Sequence, residues 1–297
     1  MLIQSLFVLL TLFASIQSHI IDDFGAVAEK ESWAIAQQNS QAFLKALSCA
    51  NASTTDRTVI FPADRHYFMY AISTSFLQDV TIQIDSVLKY SDDIKRYPAG
   101  TSALIHISES HGITLTGKGR IDGQGLIWWR RCYLGVDDRP DMVTFQYSTN
   151  ILIHDLFLYS SPKYSLNFKD CAHVTIHDIT IYINSSVTRG LDDHPSVTYA
   201  LNTDGMDLAV YNATLYNNNI INYDDGIVVK PCRSDGRYCT CAGKLLVCVL
   251  FYITQIYIHL HIPYTYRIQH TYTDTYTHTH THHTHTTQVT STRTTTV

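Results

Sequence analysis

The sequence predicts an all-β fold, a right-handed parallel β-helix or solenoid, on three observations. Short alternating or apolar runs, Ile113-Thr114-Leu115, Ile151-Leu152-Ile153, Val174-Thr175-Ile176 and Ala213-Thr214-Leu215 among them, are bounded by Asn, Asp, Gly or Ser, as brief strands are. Second runs such as Leu156-Phe157-Leu158 and Ile179-Thr180-Ile181 follow close behind. The pattern also recurs. The step from Ile153 to Ile176 is 23 residues, and those from Leu115 to Ile153 and from Ile176 to Leu215 are a little under twice that. A period of about 20 to 25 residues marks an architecture in which each coil buries its face only against its neighbours. A β-sandwich would instead call for hairpin dipeptides, and Asn-Gly does not occur.

The ends of the chain read differently from its middle. Residues 1–18 form an apolar run, Leu2-Ile3 through Leu12-Phe13, that closes on Ala14, Ser15 and Ser18, the pattern of a secretory signal peptide lacking a basic start. That run is short for a membrane span. Secretion would make glycan acceptors of Asn51, Asn184 and Asn212, each in an Asn-x-Ser/Thr triplet. An exposed solenoid end needs covering, and Ala34, Ala36, Phe43, Leu44 and Leu47 partly suit one helical face, so a capping helix is expected over Trp33–Leu47. The β-helix domain is expected over residues 19–243. Residues 244–297 change character: Leu245–Ile262 is almost wholly apolar, and Tyr264–Val297 is nearly all Thr, His and Tyr. Such alternation has no core-forming period and is expected to be disordered. Thr-His repeats are what a dinucleotide repeat encodes, so this tail reads as flanking sequence translated by accident. His-rich metal binding and a membrane anchor over Leu245–Ile262 are the competing readings.

Composition sets outer bounds. A chain of 297 residues with 45% apolar content and a net charge of −5 suffices for one substantial domain and offers no basic surface for nucleic acid. Seven cysteines, Cys49, Cys132, Cys171, Cys232, Cys239, Cys241 and Cys248, leave one thiol over in a secreted chain. The Cys232, Cys239, Cys241 spacing lacks a fourth zinc ligand and reads as a disulfide loop beside the acidic cluster.

That cluster is the strongest functional signal. Asn202-Thr203-Asp204-Gly205-Met206-Asp207 is followed about one coil later by Asp224-Asp225-Gly226. Stacking the coils brings Asp204 beside Asp224 and Asp225. Such crowding raises the pKa of at least one carboxyl, leaving an acid beside a base, as glycoside hydrolysis requires. Asn, Asp and Gly also dominate ordinary turns, and it is the clustering that favours chemistry here.

These residues resemble two of the four signature motifs of the glycoside hydrolase family 28 polygalacturonases. The upstream chain agrees in order and spacing: Asp22-Asp23-Phe24-Gly25-Ala26, Gly117 to Gly125 with Trp128-Trp129, Arg139-Pro140, and Ser161-Pro162. The resemblance covers about Asp22 to Gly243. It implies a secreted, monomeric hydrolase of α-1,4-linked galacturonate in pectin, with neither metal nor organic cofactor, no membrane and no nucleic-acid partner. It makes Asp224 the general acid, with Asp204 and Asp225 orienting and deprotonating the attacking water, and inversion at the anomeric carbon. Asn202 and Lys230 are the expected substrate contacts. The Asp225–Pro231 segment looks more like exo-acting members, and rhamnogalacturonan or xylogalacturonan hydrolysis would leave the same motifs.

The sequence departs from the family pattern at Gly226, where Cys is usual, and in lacking the Gly-His-Gly and Arg-Ile-Lys motifs. Arg267-Ile268-Gln269 is only superficially similar and takes no role. A chain truncated at its C-terminal end is therefore expected. The rival readings are a non-catalytic carbohydrate-binding β-helix and a calcium-dependent pectate lyase on the same scaffold.

Overall fold

The computed structural model describes residues 18–184, 200–231 and 237, together with the backbones of four short strands farther along. After β1 (His19–Ile20) and helix α1 (Trp33–Ala52), the chain winds through successive coils. The first holds β2 (Thr58–Phe61), β3 (His66–Met69) and β4 (Ile72–Ser75); the second holds β5 (Thr81–Ile84), β6 (Val87–Tyr90) and β7 (Ala103–Ser108). The third holds β8 (His111–Thr116), β9 (Arg120–Asp122), helix α2 (Gly125–Tyr133) and β10 (Asp141–Gln146). Then come β11 (Thr149–His154), β12 (Phe157–Tyr159), β13 (Leu166–His177), β14 (Thr180–Tyr182), β15 (Met206–Tyr216), β16 (Asn219–Ile221) and β17 (Ile227–Val229).

These strands pair in parallel and stack into three faces. One runs β1-β2-β5-β8-β11 and on through the second halves of β13 and β15. The next is β3-β6-β9-β12-β14-β16. The last is β4-β7-β10, the first halves of β13 and β15, then β17. β13 and β15 turn the corner between two faces without a loop. Single left-handed residues mark that corner in successive coils, with Glu109, Tyr147 and Asp170 at φ 48, 50 and 55°. The all-β parallel β-helix expected from the periodicity is what forms.

Matching registers place like residues over one another along the axis. Val59, Ile82, Leu115, Ile153, Ile176 and Leu215 form one buried column, and Leu88, Ile121, Leu158, Ile181 and Ile220 another. On the third face Phe145 stacks on Phe168, ring centroids 5.6 Å apart and 7° from parallel. Fully burying a side chain of this kind contributes about 1.5–3 kcal/mol through removed apolar surface.

Helix α1 closes the first coil. Ser32 Oγ caps it by accepting from Ile35 N at 3.2 Å. Its inner face buries Ala42, Phe43, Ala46 and Leu47, with Phe43 edge-on to Phe61 at 4.9 Å. The buried Asn39 side chain accepts from Val27 N and donates to Val27 O and Phe68 O, satisfying backbone at the end of the stack. The helix starts where the sequence places it and continues past Leu47 to Ala52. Helix α2 leaves no periodic signal in the sequence. Its Trp128 and Trp129 side chains are buried, and Trp129 Nε1 donates to Ser161 O at 3.1 Å.

Farther along, the backbone of β18 (Leu246–Val249) pairs in parallel with β15, and β19 (Arg267–Gln269) pairs with β18. Most of the expected signal segment, most of the 244–297 tail, and Cys232, Cys239 and Cys241 lie outside the described residues. Cys49, Cys132 and Cys171 are free thiols. Among the described residues no helix is long and apolar enough to cross a membrane.

Replacing Phe168 by Ala empties the centre of the stack and is expected to cost about 3–5 kcal/mol. In urea titration the midpoint should drop while the slope of free energy against denaturant is kept.

Candidate active site

Two turns, one coil apart, carry the acidic residues, and backbone hydrogen bonds bring them together. Gly205 N donates to Asp225 O at 2.9 Å and Met206 N to Gly226 O at 3.0 Å. This approach needs glycine: a Cβ on Gly205 would stand 2.3 Å from Gly226 O. Side chains lock the same contact. Asn222 Nδ2 donates to Thr203 O at 3.0 Å and Asp225 O at 2.8 Å, while Thr203 Oγ1 donates to Ala200 O and accepts from Tyr223 N.

The result is convergence. Asp204, Asp224 and Asp225 each present a carboxylate oxygen, and the three lie within 4.8 Å of one another. Asp204 is buried, Asp225 half-buried and Asp224 exposed. The Asp224 carboxyl accepts from Asn202 N through one oxygen and from Asp225 N through the other, both at 2.9 Å. The same three oxygens are close enough to share a cation, which carboxyls bind in their ionised form.

Asp207, on β15 just past the turn, completes the electrostatics. Its side chain is wholly buried and ion-paired through one oxygen to Lys230 Nζ. Its other oxygen and one of Asp204 are buried without a donor among the described residues. The Asp204 and Asp207 carboxyls interact directly, and a proton held between them satisfies both. Burial pushes Asp207 up, and Lys230 opposes that shift. Burial, then the charges of Asp207 and Asp224, push Asp204 up to about 7.

Neighbouring coils supply a frame. The Arg139 guanidinium, fully buried, pairs with Asp137 at 2.8 Å and donates to Leu201 O and to Asn202 Oδ1 (3.4 Å), clamping the turn that leads into Asp204. Asp141 Oδ2, buried on β10, accepts from Thr144 Oγ1, Asn167 Nδ2 and, at 3.4 Å, Lys169 Nζ. The half-buried Tyr164 ring lies beside the cluster, with Lys230 Nζ 4.4 Å from its centroid. Burial, then the charges of Asp207, Asp204, Asp141 and Asp224, push its hydroxyl up to about 12.

The five residues expected at the site are gathered there in different postures. Asp204, Asp224 and Asp225 meet as carboxyls. Asn202 acts as an anchor, its N–H on Asp224 and its side chain receiving Arg139. Lys230 is committed to Asp207. Asp141 and Tyr164 are additions that the sequence does not reveal, since each sits in a different coil from the motif and no local spacing betrays it.

Comparison with known proteins points to one family. The model of the glycosyl hydrolases family 28 matches residues 49–242, more than half of the chain. A polygalacturonase of Cryptomeria japonica is 36% identical over 127 residues, covering 40% of this chain and 22% of that protein. The polygalacturonase of Erwinia carotovora superposes with a TM-score of 0.59 at 18% identity, covering 82% of this chain and 66% of that one. An endo-xylogalacturonan hydrolase of Aspergillus tubingensis superposes with a TM-score of 0.58 at 24% identity, covering 71% and 52%. At these identities the structural likeness is one of fold. The chain spans from about a fifth to about half of the length of the curated relatives it matches.

The raised Asp204 makes stability depend on pH. Its protonated form is favoured by folding, so its contribution is full below about pH 4, the ordinary carboxyl range, and is lost as pH rises through about 7. The wild-type melting temperature should therefore fall between about pH 4 and pH 8, by about 2–4 °C for each kcal/mol lost. Asp204→Asn, which cannot ionise, should flatten that fall in a calorimetric series.

Proposed function

The chain belongs to the glycosyl hydrolases family 28, and from that premise we propose that it is a secreted, monomeric hydrolase of α-1,4-galacturonosyl bonds in pectin. The observation that carries this reading is the meeting of Asp204, Asp224 and Asp225 within 4.8 Å. Asp224, the exposed member, protonates the glycosidic oxygen as the bond to the anomeric carbon breaks. Asp204 and Asp225 orient a water and take its proton as the water oxygen bonds to that carbon from the opposite face. No cofactor enters this scheme. The family relatives include a protein named as an exopolygalacturonase, of Platanus acerifolia, and exo-action is the mode proposed for this chain.

One observation favours an exchange of roles. Asp204 is the carboxyl that burial and its neighbours push up to about 7, the property of an acid rather than a base.

Asp224→Asn should lower turnover of polygalacturonate by about 10²–10⁴-fold, because an amide cannot donate the proton. On an aryl galacturonide whose leaving group departs without protonation, the same variant should recover. Recovery by Asp204→Asn instead would move the acid to Asp204. Proton NMR of the first product should show the β-anomer; an α-anomer would assign retention and make one carboxylate a nucleophile. An unsaturated product formed only with added calcium would identify a lyase, and binding without turnover a non-catalytic module.

A further inference from the structure

An acidic site that takes an acidic polymer must hold a cation for it, and two lysines beside these carboxyls are already engaged. Lys230 is ion-paired with the buried Asp207, and Lys169 lies 3.4 Å from the buried Asp141. Withdrawing either from its partner would leave a buried carboxylate uncompensated, at a cost no surface contact offsets. A third lysine approaches the same tyrosine. Lys163 Nζ lies 5.1 Å from the centroid of Tyr164, the ring that Lys230 also approaches and that feels the charges of Asp204, Asp207, Asp141 and Asp224. Lys163 is half-buried and forms no ion pair among the described residues.

Its seat is fixed. Lys163 occupies the short turn between β12 and β13, where Ser161 and Ser165 are buried and their hydroxyls bond at 2.6 Å. Trp129 Nε1 holds Ser161 O at 3.1 Å, and Ser165 N donates to Asp204 O at 2.9 Å. The turn is therefore tied to the backbone of Asp204 itself. On the other side Lys163 is near enough to help hold the Asp137 carboxyl below the usual range, behind the Arg139 pairing that dominates it. An ammonium on a rigid turn, over an aromatic ring that itself adjoins the carboxyls, is arranged to meet an anion without first leaving a partner.

We infer that Lys163 is a specificity-determining residue, receiving the carboxylate of a uronic acid unit bound beside Asp204, Asp224 and Asp225. This rests on the proposed hydrolysis of galacturonate and goes further by naming the group that selects acidic over neutral sugar. Lys163 neither gives nor takes a proton in the reaction. It offsets the repulsion between the substrate's charge and the aspartates, an effect that added salt weakens.

The test compares the full chain with Lys163→Gln and Lys163→Arg on polygalacturonate and on fully methyl-esterified pectin. Losing one charge-assisted contact should raise KM for the acidic polymer about tenfold, with kcat nearly kept. KM for the esterified polymer should not move, Lys163→Arg should restore the wild-type value, and rising salt should shrink the difference. An unchanged KM for the acidic polymer, or an equal rise on both polymers, overturns the inference. Matching thermal melts of the three proteins exclude misfolding as the cause. Calorimetric binding of galacturonate oligomers gives the same comparison without turnover. Wild-type binding that Lys163→Gln weakens, with no hydrolysis, would sink the enzymatic reading alone; wild-type failure to bind would sink both.

Discussion

The register between successive coils is the constraint on which the rest of the molecule depends. Parallel pairing fixes which residue of one coil lies over which residue of the next, and a slip of one position would turn every buried Ile, Leu or Phe outward. The same register sets Met206 against Ile227 and so directs Gly205 N to Asp225 O and Met206 N to Gly226 O. Carboxyls about one coil apart in sequence are adjacent because the apolar columns on the inside permit no other alignment. Core and site are thus two outcomes of one alignment.

Holding several carboxyls together costs free energy, and the structure distributes that cost. Lys230 compensates Asp207, Lys169 approaches Asp141, and the Arg139 clamp fixes the turn before Asp204 while itself paired with Asp137. What is left concentrates on Asp204, buried and pushed up to about 7. Favouring the neutral form there relieves the repulsion at a buried point, where it would be strongest. The cluster is in this sense a graded arrangement, from the exposed Asp224 to the wholly buried Asp207, rather than a set of equivalent aspartates.

The coils are legible in the sequence because each strand alternates and each coil repeats, so Ile113, Ile151, Val174 and Ala213 announce their own stacking. The acidic site is legible for the same reason: Asp204 and Asp224 are one coil apart. Contacts that skip this logic are not. Tyr164 reaches the cluster from the turn before β13, and Asp141 from the start of β10, along a path whose loop lengths follow no period. Lys230 reads as a free cation because its partner Asp207, 23 residues away, is visible only once the register is known. The N-terminal helix sits between these cases, its start at Trp33 as expected and its end running beyond the apolar spacing to Ala52.

Helix α1 has a consequence for how molecules meet. A stack of parallel strands offers at either end a row of backbone donors and acceptors that another stack could extend. By packing across the first coil and bonding Phe68 O of β3 and the Val27 backbone through Asn39, α1 covers part of that row at one end. Among the described residues, a neighbour arriving from the helix side meets α1 before it reaches β3, so stacking there in register with that face is obstructed.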